Sequence, residues 1–96
     1  VVLKKKTSGG QIQIHIDNYT TKEQEITLYD ISADSAEDAN IPPTFVSELD
    51  GEYTKLWKFT LAGGESFEVT YSGEGGGLIQ MQGVAENLKV EVDLDV

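Results

Sequence analysis

KLWKFTLAGGESFEVTYS, residues 55–72, decides the fold. Trp57, Phe59 and Leu61 alternate with polar residues; Ala62-Gly63-Gly64-Glu65 follows; then Phe67, Val69 and Tyr71 alternate in the same way. A period of two places successive side chains on opposite faces of an extended chain. Each run is therefore a strand with one buried face and one wet face. The small and glycine residues between the runs supply the backbone freedom of a tight turn. The same rhythm spreads outward in both directions. Ile12, Ile14 and Ile16 form one run, Ile79 and Met81 another, and Leu88, Val90, Val92 and Leu94 the last.

Spacing of the runs predicts strands over Val1 to Lys6, Gln11 to Asp17, about Glu25 to Ile31, Lys55 to Leu61, Ser66 to Ser72, Leu78 to Gln82 and Leu88 to Leu94. Tyr29 and Ile31 lie opposite Leu28, so the third strand is apolar on both faces near its end and reads as central or covered by a loop. Ser32 to Tyr53 breaks the rhythm with Asp34, Glu37, Asp38, Pro42-Pro43 and Asp50-Gly51. An edge piece is expected there over Thr44 to Leu49, with Phe45, Val46 and Leu49 seeking burial, and one helical turn over Ser35 to Asn40. Proline bars a central strand in that region. No strand precedes a helix long enough for a crossover, so antiparallel pairing is expected. The fold class is all-β: an immunoglobulin-like antiparallel β-sandwich of about seven strands. Ninety-six residues make one domain, 1–96, and the abrupt VVLKKK start reads as a piece of a larger protein.

Composition narrows the function classes. The chain holds no cysteine, which removes disulfides, thiolate metal sites and cysteine nucleophiles. Seventeen carboxylates stand against seven cations, all of them lysine, for a formal charge of −10. Arginine, the usual reader of guanine edges and phosphate, is absent. So acidic a chain repels nucleic acid and anionic membrane as a whole, and direct nucleic-acid binding is expected to be weak or absent. No apolar run reaches the ~18–20 residues of a membrane span.

Individual candidates each meet a plainer reading. Lys4, Lys5 and Lys6 are the one cationic run. They either guard an edge strand or contact phosphates or an acidic partner. Asn18-Tyr19-Thr20 is a glycosylation sequon in an expected turn, where asparagine is favoured anyway. His15 lies mid-strand on the polar face with no nucleophile or orienting partner local to it. Asp34, Glu37 and Asp38 lack the ligand alternation of a calcium loop, so no metal is assigned. Gly73 to Gly77 precedes a strand rather than Lys-Ser/Thr and a helix, so it reads as a hairpin turn and not a phosphate loop. Trp57 is expected in the core. No catalytic constellation and no cofactor emerge.

Two stretches carry a resemblance: IHIDNYTTKEQEITLYDIS, residues 14–32, and LWKFTLAGGESFEVTYSGEGGGLIQMQGV, residues 56–84. A strand, an Asn-Tyr-Thr turn, a strand ending Leu-Tyr-Asp-Ile, then Trp-x-Phe-x-Leu-x-Gly-Gly-Glu-Ser and a strand ending in tyrosine resemble the immunoglobulin-like C-terminal domain of the B subunit of archaeal DNA topoisomerase VI. The resemblance implies an ATP-dependent parent of two A and two B subunits, with ATPase and DNA-cleaving chemistry elsewhere. It implies a non-enzymatic accessory domain, cytoplasmic, contacting protein, parent-chain domains or DNA, and a monomer when isolated. The alternative is a stalk or adhesion module at the cell surface, glycosylated at Asn18; a third is a ligand-binding barrel or enzyme, which would need a pocket.

Overall fold

The structure is a computed structural model, described over residues 1–83 and 89–94, with side chains described over 1–83. It contains β1 (Val2–Ser8), β2 (Gln11–Asp17), β3 (Gln24–Ser32), β4 (Phe45–Leu49), β5 (Glu52–Leu61), β6 (Ser66–Ser72), β7 (Leu78–Gln82) and β8 (Lys89–Leu94). These form two four-stranded sheets, ordered β6-β2-β1-β8 (sheet A) and β4-β5-β3-β7 (sheet B). The all-β sandwich expected from the alternation is the observed fold. Its eighth strand is β4, the edge piece anticipated inside the long connection. Residues 84–88, which hold most of the turn expected at Gly83 to Asn87 and the first residue of the last strand, lie outside the described residues.

The inward faces follow the period of two. Leu3, Ile12, Ile14, Ile16, Val69 and Tyr71 from sheet A meet Ile26, Leu28, Trp57, Leu61 and Met81 from sheet B, all buried. Trp57 sits in the core as expected, and its indole N–H donates to the Ile41 carbonyl at 2.8 Å. At the other end Phe59 and Phe67 stack across the sheets, with ring centroids 3.9 Å apart. β3 lies between β5 and β7 as a central strand, and its outward Tyr29 and Ile31 are half-buried.

Four expectations are corrected. β1 and β8 pair in parallel, Leu3 opposite Val90. β7 belongs to sheet B and β8 to sheet A, so the chain changes sheets between them and need not reverse direction as a hairpin does. β1 lies between β2 and β8, so its lysines guard no edge. The glycine-rich segment 73–77 is likewise a crossing from sheet A to sheet B, not a hairpin. Gly75, Gly76 and Gly77 all take positive φ, and a Cβ on Gly77 would collide with the Ile31 carbonyl. Finally, Ser35 to Asn40 forms no helix: Ala36 has φ 57°, and a single turn closes with the Ala39 N–H on the Ala36 carbonyl at 3.2 Å.

The long connection instead covers the open edge of β6. Asn40 Oδ1 accepts the Thr70 N–H at 2.8 Å, and Asp38 Oδ1 accepts the Ser72 N–H at 3.0 Å. An edge strand thus has outward N–H groups filled by side chains, which blocks pairing with another chain. β4 and β5 then close through Asp50-Gly51, with φ of 52° and 79°, the two-residue turn that suits a right-twisted hairpin.

Candidate functional site

The concentration of polar chemistry in this molecule lies inside it. Alternation along β1 puts Lys5 on the same face as Leu3, and alternation along β3 puts Asp30 on the same face as Ile26 and Leu28. Both side chains therefore point into the sandwich. The Lys5 ammonium meets Asp30 Oδ1 at 2.8 Å and donates to the Gly76 carbonyl at 3.2 Å. Lys55, the β5 partner of Asp30, brings a second ammonium to 3.7 Å from Asp30 Oδ2. It also donates to Ser32 Oγ at 2.8 Å and the Asp34 carbonyl at 2.5 Å. The Tyr71 hydroxyl of β6 donates to Asp30 Oδ2. Lys5, Asp30, Lys55 and Tyr71 are all buried, and the group ties sheet A to sheet B.

Two cations on one carboxylate leave this buried group with a net positive charge. Burial pushes the Lys55 ammonium below its ordinary pKa, only partly offset by Asp30, while Lys5 pushes it down further. Burial and the Asp30 carboxylate hold the Tyr71 hydroxyl far above the usual phenol range, so it stays protonated. A carboxylate held by two ammonium groups and a phenol is a poor electrophile and a poor base. The arrangement binds the sheets together.

On the outer face of sheet A, His15 Nε2 lies 3.0 Å from Asp17 Oδ1, and the Ser66 hydroxyl donates to that same Oδ1 at 2.5 Å. Serine, histidine and aspartate thus gather, but in the wrong connectivity. A nucleophilic serine must give its proton to histidine; here it gives a hydrogen bond to the carboxylate. The Ser66 hydroxyl, with smaller help from His15 and Tyr19, holds the Asp17 carboxyl below its usual range.

Asn18 is a correction to the sequence reading. Its side chain is buried, with 1% exposure. Its amide N–H groups reach the carbonyls of Lys22, Leu61 and Ala62 at 2.9, 3.2 and 3.1 Å. A glycan on that nitrogen requires this turn to open. Asn18 Oδ1 accepts the Thr20 N–H at 3.0 Å and the Thr20 hydroxyl at 2.6 Å. The Asn18 backbone meanwhile exchanges bonds with Gly64 and Glu65. Gly63 fits against this turn because a Cβ would lie 2.8 Å from the Thr21 carbonyl carbon. The Asn-Tyr-Thr and Gly-Gly-Glu-Ser segments are therefore two sides of one joint.

The lysine run is split. Lys5 is in the core, while Lys4 and Lys6 are exposed on the outer face, in register with Glu91 and Asp93 on β8. The acidic candidates also find partners. Asp34 accepts the Glu74 and Gly75 N–H groups at 2.9 and 3.0 Å, and Asp38 accepts Ser72. Among the described residues no three histidine or acidic groups converge as a metal site. An open depression of about 200 Å³ lies among Glu25, Lys58, Phe59 and Thr60. It is smaller than the ~300–1,000 Å³ of typical ligand pockets.

The family model for the C-terminal domain of the type 2 DNA topoisomerase 6 B subunit matches residues 1–91. The chain belongs to that family. The match runs through all the joints just described. No curated protein matches, and no solved structure does. In this topoisomerase domain the buried Lys5–Asp30–Lys55–Tyr71 group is what the sequence reading missed. Its signal was present: period two alone puts a lysine and an aspartate on inward faces of two strands, and unpaired charges cannot stay there.

Proposed function

We propose that the chain is a non-catalytic accessory domain of a topoisomerase VI B subunit whose surface contacts protein rather than gripping DNA. The burial of Lys5 carries this reading. The lysine run was the one cationic stretch that could have met phosphate, and its middle member is spent inside the sandwich. The buried group holds two of the seven cations and one of the seventeen carboxylates, so the surface outside it is more acidic than the chain as a whole. Tight binding to DNA needs several cations displacing counterions. The strand order, with the first strand parallel to the last and sheets split as β6-β2-β1-β8 and β4-β5-β3-β7, supports an immunoglobulin-like classification. A cytoplasmic archaeal parent belongs to the same proposal. The burial and hydrogen bonds of Asn18 weigh against glycosylation there, which the cell-surface alternative includes.

Removal of this segment from the B subunit tests the reading. Basal ATP hydrolysis should persist, and DNA affinity and its salt slope should stay unchanged, while association of the subunits or coupled DNA relaxation weakens. A fall in DNA affinity with a shallower salt slope would show that the domain grips DNA and would overturn the proposal.

A further inference from the structure

The β6 edge of sheet A and the β4 edge of sheet B differ. The β6 edge is filled by Asn40 and Asp38. Among the described residues no strand pairs with the outer edge of β4, and its apolar residues face water: Phe45 is 61% exposed, Val46 44% and Leu49 76%. Burial was expected for these three, and they are not buried. Every residue of β4 is exposed, on both faces, so sheet A does not cover this strand. The exposure continues inward across the outer face of sheet B. Phe45 is in register with Leu56, and Leu56 with Tyr29; further along, Ile31 pairs with Leu78, itself 50% exposed. An unpaired strand edge adjoining an apolar sheet face is a template for adding a strand.

Charge says what kind of strand. Glu48, Asp50 and Glu52 rim the β4–β5 hairpin, all exposed, on a chain of formal charge −10. Pairing with a second copy would set these carboxylates against one another. A cationic segment would neutralise them and place its apolar side chains on Phe45 and Leu56. Resting on the protein-contact reading above, we propose that the β4 edge and adjoining outer face of sheet B dock an extended, lysine- or arginine-bearing segment of another protein chain. Backbone hydrogen bonds along β4 supply the alignment, and the acidic rim supplies the charge preference.

A photo-crosslinking amino acid is incorporated in place of Ser47 on β4, and separately in place of Gln82 on the opposite edge of sheet B as control. Both sites are exposed. The labelled B subunit is assembled with its A subunit and DNA, irradiated, and the adducts mapped by mass spectrometry against the unsubstituted protein. The expected result is adducts from position 47 on one lysine- or arginine-bearing segment, several-fold above the control, falling as salt is raised. Adducts on an acidic or neutral protein segment would overturn the cationic occupant while leaving protein contact intact. Adducts on a second copy of β4 would overturn it in favour of self-pairing. Adducts only on DNA, or none above control, would overturn the docking edge, while the protein-contact reading is decided by the removal experiment above.

Discussion

Asp30→Asn probes the group that joins the sheets. The carboxylate is fully buried, with Lys5 Nζ at 2.8 Å, Lys55 Nζ at 3.7 Å and the Tyr71 hydroxyl on its second oxygen. Asparagine keeps the shape and removes the charge. Its carbonyl oxygen can still accept from Lys5, but its NH₂ then faces Lys55, donor against donor. Two buried ammonium groups lose the carboxylate they share, and only Asp34, acting on Lys55 without a direct ion pair, remains to offset them. Breaking a buried pair from one side costs about 3–5 kcal/mol, because the remaining charge is stranded in a low dielectric. A domain of this size has a net stability of ~5–15 kcal/mol, so the loss is a large share of it. At about 4–8 °C per kcal/mol, the melting temperature should fall by ~12 °C or more. Urea unfolding followed by fluorescence of the single, buried Trp57 gives the free energy directly. Lys55 also fixes a sign. Burial already holds its ammonium below the ordinary lysine pKa and the variant removes Asp30, its largest offset, so the unfolded state binds more protons and the variant gains stability as pH rises. Adding Lys5→Met should restore part of the loss, since it removes a stranded charge. A loss under ~1 kcal/mol, or no rescue in the double variant, would refute the buried-charge reasoning.

Tyr71 should dominate the alkaline limb: its folded pKa is raised, so stability present below the ordinary phenol value of 10.0 is lost as pH climbs past it. Tyr71→Phe should flatten that limb in pH-dependent unfolding while losing about 1–3 kcal/mol at neutral pH for its bond to Asp30. Asn18→Ala, removing donors to three carbonyls, should lose about 2–4 kcal/mol in the same urea assay. Gly63→Ala should lose about 1–3 kcal/mol, because its Cβ meets backbone of the Asn18 turn rather than a side chain that can swing away.

Strand placement was legible because period two is a local property: β2, β6 and β7 occupy the spans that their alternation marks. Sheet membership was not, since a glycine-rich segment reads the same whether it closes a hairpin or crosses between sheets, and 73–77 crosses. The hairpin at Asp50-Gly51 was legible in principle from its dipeptide, but the surrounding acidic and proline-bearing connection hid it. Lys5 and Asp30 lay on inward faces by simple counting, yet nothing in one strand names its partner in another; their pairing needs the packed sandwich. Phe45 and Leu49 reversed expectation for the opposite reason. An apolar residue predicts a wish for burial, and only the extent of the facing sheet decides whether cover exists.

Hydrogen exchange along β4 reads the protein-contact claim most directly. The amides of residues 45–49 are to be compared in the isolated chain and in the assembled topoisomerase, with and without duplex DNA. Exchange at these residues should slow on assembly, independent of DNA, by about tenfold for each 1.4 kcal/mol of docking free energy. Unchanged exchange along β4, with protection appearing only around Lys4 and Lys6 when DNA is added, would contradict it.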